Sequence, residues 1–151
     1  MASTHFSGPV IAGDLQLGET NGPNQGPVRL SQYVSLTQNS TTAVSSTLYI
    51  PAGSIIESIV IDVLTAFNSA TSATLSVGTA AAGTQYVSGV DVKTATGRIS
   101  AAYTAAQLAA MSGQTVLGVA APTTAPVVVT ITPVGATSAG YVHVTVNYIQ
   151  Q

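Results

Sequence analysis

The chain has 151 residues, enough for one domain with a core of its own, and no cysteine, which excludes both a disulfide framework and a thiolate metal site. Only 5% of residues are charged, against about 25% in a typical soluble protein, while 46% are hydrophobic; disorder goes with the opposite balance, so this chain folds. The net charge is −2 and the basic residues are Arg29, Lys93 and Arg98 alone, too few to line a phosphate backbone, which argues against a direct nucleic-acid partner.

With so few charges the outside must be covered by Ser, Thr, Asn, Gln and Ala. Such a surface is cheap to desolvate, because no buried ion has to find a partner. That suits a subunit that lives in contact with other subunits.

The segment Met1 to Pro9 has neither a basic stretch nor an apolar h-region, so secretion by a signal peptide is not expected. Nor does any apolar run approach the length of a bilayer span, so no membrane partner is expected. Residues 1–29 are broken by Gly8-Pro9, Gly13, Gly18, Asn21-Gly22-Pro23-Asn24 and Gly26-Pro27, where proline removes donors and glycine costs backbone entropy. They read as an extended N-terminal arm, with Phe6, Val10, Ile11, Leu15 and Leu17 too apolar for a freely solvated tail. Residues 30–151 read as one β-sandwich domain.

Tyr33 to Thr37 is the first expected strand, and Val44, Ser46, Leu48 and Ile50 alternate with Ser45, Thr47 and Tyr49 as the second. Beyond the turn at Pro51-Ala52-Gly53, Ile55 to Leu64 forms the centre of the fold: Ile59, Ile61 and Val63 share one face, and Val60, Asp62 and Leu64 the other. Both faces are largely apolar, which predicts a strand in the middle of a packed sheet. Thr74 to Val77 and Val87 to Val92 follow, and Asp91 to Arg98 reads as a turn in which Asp91 pairs with Lys93 or Arg98. Thr104-Ala105-Ala106-Gln107 has the form of a capping box opening a short helix, with Leu108 and Met111 on one face and Gly113 at its end. Thr115 to Ala120 and Val127 to Thr132 are further strands, separated by a loop bracketed by Pro122 and Pro126. The last strand alternates most clearly: Val142, Val144, Val146 and Tyr148 point one way, Tyr141, His143, Thr145 and Asn147 the other. The expected fold is all-β, a β-sandwich or jelly roll of about eight strands with one short helix and the extended arm.

Catalytic chemistry finds little footing. A nucleophile needs a base within reach, and the candidate bases are His5, His143 and the scattered carboxylates Asp14, Glu19, Glu57, Asp62 and Asp91. No serine lies in a G-x-S-x-G elbow, and neither a calcium loop, a zinc signature nor a phosphate loop occurs. The expectation is a protein without catalytic residues, cofactor or metal, with Tyr141 and His143 as candidate interface residues.

The runs Ile50 to Ile56, Ile61 to Asn68, Ala73 to Thr79, Gly89 to Val92 and Gly140 to Tyr148 resemble small β-rich structural proteins of tailed bacteriophages, over roughly Leu48 to Ile149. Those proteins include head decoration, or cement, subunits and modules on fibres and other appendages. In a chain this short, with neither fibre shaft nor coiled coil, decoration is the favoured role. The resemblance implies a subunit, assembled as a homotrimer, that binds the major capsid protein on the head exterior of the virion after synthesis in the host bacterial cytoplasm. A different class of function, a receptor- or glycan-binding module of a tail fibre or other appendage, would call for an exposed tyrosine cluster. The arm, Ala2 to Arg29, is the expected capsid or neighbour contact: deleting it is expected to abolish binding to undecorated heads while leaving the circular dichroism of the folded domain unchanged.

Overall fold

A computed structural model describes residues 28–51, 54–94, 96–112 and 124–150. Among them are eight strands and one helix: β1 (Val28–Thr37), β2 (Val44–Pro51), β3 (Ile55–Thr65), β4 (Ser72–Gly78), β5 (Val87–Asp91), β6 (Gly97–Ser100), α1 (Ala105–Ser112), β7 (Thr124–Val134) and β8 (Tyr141–Gln150). They form two antiparallel four-stranded sheets in the orders β1-β8-β3-β6 and β2-β7-β4-β5. First pairs with last, second with seventh, third with sixth and fourth with fifth, as in one long hairpin rolled up on itself. That is the winding of a jelly roll, so the fold is an all-β sandwich of that kind.

Alternation sets which side of each strand enters the core. On β3, Ile59, Ile61 and Val63 are buried, and on β8 Val142, Val144, Val146 and Tyr148 are. The two strands run in register, Ile59 opposite Val146, Ile61 opposite Val144 and Val63 opposite Val142, so one apolar stripe backs the middle of the first sheet. Leu48 and Ile50 from β2, Leu75 and Val77 from β4, and Val127, Val129 and Ile131 from β7 meet it from the second sheet. β-Branched side chains fill this pleated space with little loss of rotamer freedom, which is why valine and isoleucine dominate it.

Loops hold the two sheets together with few charges. At the crossover from β1 to β2 the fully buried Gln38 donates its side-chain amide to the carbonyls of Ser40 and Thr42, while its backbone N–H bonds the Gly140 carbonyl at 3.0 Å. At the end of β3, Asn68 accepts the backbone N–H groups of Ser138 (2.9 Å) and Ala139 (3.0 Å), zipping the β3–β4 loop to the β7–β8 loop. Beside it Gly140 lies flat on the buried Phe67 ring, where a Cβ would come within 2.2 Å of an aromatic carbon.

Several expectations shift at the boundaries. β1 starts at Val28, so the last two residues assigned to the arm belong to the sheet, and residues 1–27 lie outside the described residues, as do Gly113 and the expected strand Thr115 to Ala120. Within the Asp91–Arg98 turn the chain already re-enters the sheet: Gly97 to Ser100 pair with Val63 to Val60 as β6. Asp91 pairs with neither Lys93's ammonium nor Arg98; it accepts Lys93's backbone N–H at 2.8 Å and the Thr94 hydroxyl at 2.7 Å, closing the turn locally. Pro126 stands inside β7, tolerated because β4 pairs only from Val128 onward and leaves one side of the strand without a ladder.

The capping box forms as expected, with the Thr104 hydroxyl accepting the Gln107 N–H (3.2 Å) and the Gln107 side chain accepting the Thr104 N–H (2.9 Å). The buried side of α1 is Gln107 and Met111, however, and Leu108 is exposed. Positions four apart stack more closely on this two-turn helix than the expected pair three apart.

Replacing Ile61, 0% exposed, by alanine is expected to lower unfolding free energy in urea by about 2–5 kcal/mol, whereas Leu64→Ala, on the opposite face at 57% exposure, should change it by less than about 0.5 kcal/mol.

Candidate functional site

The two sheets differ on the outside. The outer face of β2-β7-β4-β5 is partly roofed by the loop after β4, whose Ala82 N–H bonds the Thr130 hydroxyl at 2.9 Å, and Val128 and Thr130 are buried beneath. Among the described residues no element crosses the outer face of β1-β8-β3-β6 in this way, and four of their six charged side chains, Arg29, Glu57, Asp62 and Arg98, are collected there.

Because alternate residues of a strand share a face, the core stripe on β8 forces Tyr141, His143, Thr145 and Asn147 outward. The register then builds a polar row across all four strands. Arg98 on β6 lies opposite Asp62 on β3, Asp62 opposite His143 on β8, and His143 opposite Ser35 on β1. Arg98 grips Asp62 with two parallel bonds, Nε to Oδ1 at 2.8 Å and Nη2 to Oδ2 at 3.0 Å, the fork geometry that only arginine offers a carboxylate. The Ser35 hydroxyl contacts His143 Nδ1 at 3.1 Å, and the Tyr33 ring stacks on the imidazole with centroids 4.6 Å apart. A second ion pair, Arg29 to Glu57 at 2.9 Å, reaches across β8 near the end of the sheet, and Asn147 donates to the Ser58 hydroxyl at 2.9 Å between the two rows.

The electrostatics follow from these partners. The Arg98 hydrogen bond, outweighing desolvation, holds the Asp62 carboxyl below its ordinary 3.8, and the charges of Arg98 and then of His143 act in the same direction. Arg98 is raised in turn by Asp62. On β5, Asp91 is lowered by the Thr94 hydroxyl and the Lys93 N–H.

Serine, histidine and aspartate thus stand in one line, but not as a nucleophile with its base and orienting acid. Both Asp62 oxygens are committed to Arg98, and Ser35 touches the imidazole nitrogen that an orienting carboxylate would need. Among the described residues the face is a ladder of four antiparallel strands, β1-β8-β3-β6, with no cleft that would hold a reacting group beside His143. Two shallow depressions mark it, one of about 180 Å³ lined by residues including Val60, Arg98, Ser100 and Tyr103, the other of about 220 Å³ lined by Arg29, Leu30, Ser31, Glu57 and Asn147. What the face offers is neutralised charge, hydroxyls and an aromatic ring at 66% exposure, the means of recognition by contact.

The expected interface residues Tyr141 and His143 are neighbours on this face, one strand position pair apart. Phe6, Val10, Ile11, Leu15 and Leu17 lie outside the described residues. Sequence reasoning missed Tyr33 and Ser35 as companions of His143, and it gave Arg98 to the wrong carboxylate. The only signal available for these was the strand parity of Tyr33 and Ser35, which no single strand can relate to a residue over a hundred positions away. Among the described residues no group of acidic, histidine or cysteine side chains is arranged to hold a metal ion, and no helix is long and apolar enough to cross a membrane. Compared with known proteins, the chain matches no protein-family model, no curated sequence and no solved structure.

Asp62→Asn tests the row. A carboxyl whose folded pKa lies below its unfolded value stabilises the protein above the unfolded value and loses that effect as pH falls through the folded one. Thermal unfolding is therefore expected to show a lower midpoint for the variant near neutral pH, and the gap to wild type should close progressively below pH 3.8.

Proposed function

We propose that this protein is a non-enzymatic structural subunit of a bacteriophage particle, a decoration subunit that binds the head exterior, contacts the major capsid protein and bridges its copies. The observation that carries the reading is the outer face of β1-β8-β3-β6, a four-stranded surface whose charges are already paired within the chain, as Arg98–Asp62 and Arg29–Glu57. Docking such a face strips water from ions that keep their partners, so the desolvation cost that penalises an unpaired charge is small. Neutral hydroxyls and amides between the pairs supply hydrogen bonds without demanding a countercharge.

The jelly roll supports the reading only in part, because that fold serves viral shells and lectins alike. The resemblance of residues 48–149 to virion β-modules turns the balance toward the particle. In mechanical terms the subunit works by adding contacts between capsid subunits, and a lasting bridge buries on the order of 1,000 Å² or more. Many copies acting together hold through effective concentration even where each contact is weak.

Mixing purified protein with expanded heads that lack it, then sedimenting the heads, tests the proposal. Saturable co-sedimentation, density on the shell lattice in electron cryomicroscopy, and weaker binding by a Tyr141→Ala/His143→Ala variant are expected. Density on the tail, or retention on cell-surface sugar with no affinity for heads, would overturn it in favour of the receptor- or glycan-binding alternative.

A further inference from the structure

Among the described residues, the sandwich defends the edges on one side and leaves β1 on the other without cover. On the side of β5 and β6 the edges are short: β6 has four residues and β5 five, and the β4–β5 ladder is broken by a register shift between Leu75 and Val77. Where β6 stops, the Tyr103 hydroxyl takes its place beside β3, accepting the Ile59 N–H at 3.0 Å and donating to the Ile59 carbonyl at 3.1 Å. A single side chain there satisfies both backbone groups that a further strand would have used. These are the devices by which natural sheets blunt an edge.

β1 has none of them. It runs for ten residues in unbroken register with β8, contains no proline, carries one charge at its far end, Arg29, and among the described residues has no strand on its other side. Among the described residues, then, its outer edge presents a row of backbone donors and acceptors, a template for another strand.

We infer that this edge is the seam of a twofold homodimer, in which β1 of two copies pairs antiparallel about Tyr33 and joins their sheets into one of eight strands. The strand is complementary to itself in that register. Residues directly opposite share a face in an antiparallel pair, so Leu30 meets the partner's Leu36, Gln32 the partner's Val34, Ser31 the partner's Ser35 and Arg29 the partner's Thr37. No like charges face each other. Leu30, 40% exposed on the core side of the strand, gains an apolar neighbour, and Tyr33, 66% exposed on the outer side, meets its own copy as an aromatic cross-strand pair on the axis. Such an isologous contact closes at two copies, in contrast to the threefold assembly that the resemblance implies. It also doubles the outer face proposed for shell contact, yet stands whether or not a shell is the partner.

Sedimentation equilibrium on the full chain decides it. Wild type is expected to be a dimer at micromolar concentration, and Tyr33→Lys, which sets two ammonium groups face to face, should raise the dimer dissociation constant about tenfold or more. An equimolar mixture of Tyr33→Lys and Tyr33→Glu should recover dimer, an effect that a merely structural role of Tyr33 would not produce. Because the chain has no cysteine, Tyr33→Cys is expected to form a disulfide-linked dimer on mild oxidation, whereas Ser88→Cys on β5 is not. A monomer, a trimer, or a dimer indifferent to both charge variants and uncrosslinked by Tyr33→Cys would overturn the inference, and none of these outcomes touches the head-binding result.

Discussion

β8, the last strand of the chain, lies between the first and the third, and the remaining architecture follows from that insertion. Its four inward side chains, Val142, Val144, Val146 and Tyr148, face strands that are distant in sequence, with Val28 opposite Gln150 at one end and Val63 opposite Val142 at the other. Such pairing is costly to form, because long loops must close before the contacts reward it, and it gives the fold a high contact order. Once formed it fixes the register of the whole sheet. A slip of one residue would send the valines to solvent and Tyr141 and His143 into the core.

That register also makes the outer face. Arg98, Asp62, His143 and Ser35 come from four strands, and the ladder lines them up because the inward residues beside them are locked in the core. With so few charges available, their placement is informative. Arg29, Glu57, Asp62 and Arg98 are spent in two pairs on one face, while the opposite sheet is finished with threonine, valine and a folded-back loop. Each pair keeps its arginine exposed and adds only modestly to stability. Their effect is on the surface, which carries polarity without net charge.

Edge strands raise the complementary issue. A jelly roll that does not close has four of them, and this one treats the two sides unequally: Tyr103 and the short β5 and β6 guard one, while β1 offers ten residues in line on the other. The outer face of β1-β8-β3-β6 and the ten-residue edge of β1 are therefore the surfaces on which the proposals above rest.

By itself the sequence determined the fold class and the alternation along β2, β3, β7 and β8, because a period of two in β-branched residues is a local property that survives without knowledge of partners. The capping box at Thr104 and Gln107 was legible for the same reason. Boundaries were less so: β6, four residues after a turn, carries too little pattern to be seen, and Val28 and Arg29 join a strand only because β8 is there to pair with them. Tertiary structure alone decided which strands are neighbours, and with that the site. Tyr33, Ser35, Asp62, Arg98 and His143 are scattered over more than a hundred residues, and nothing in local chemistry couples them. Only the burial of one apolar stripe against another brings them to a single row.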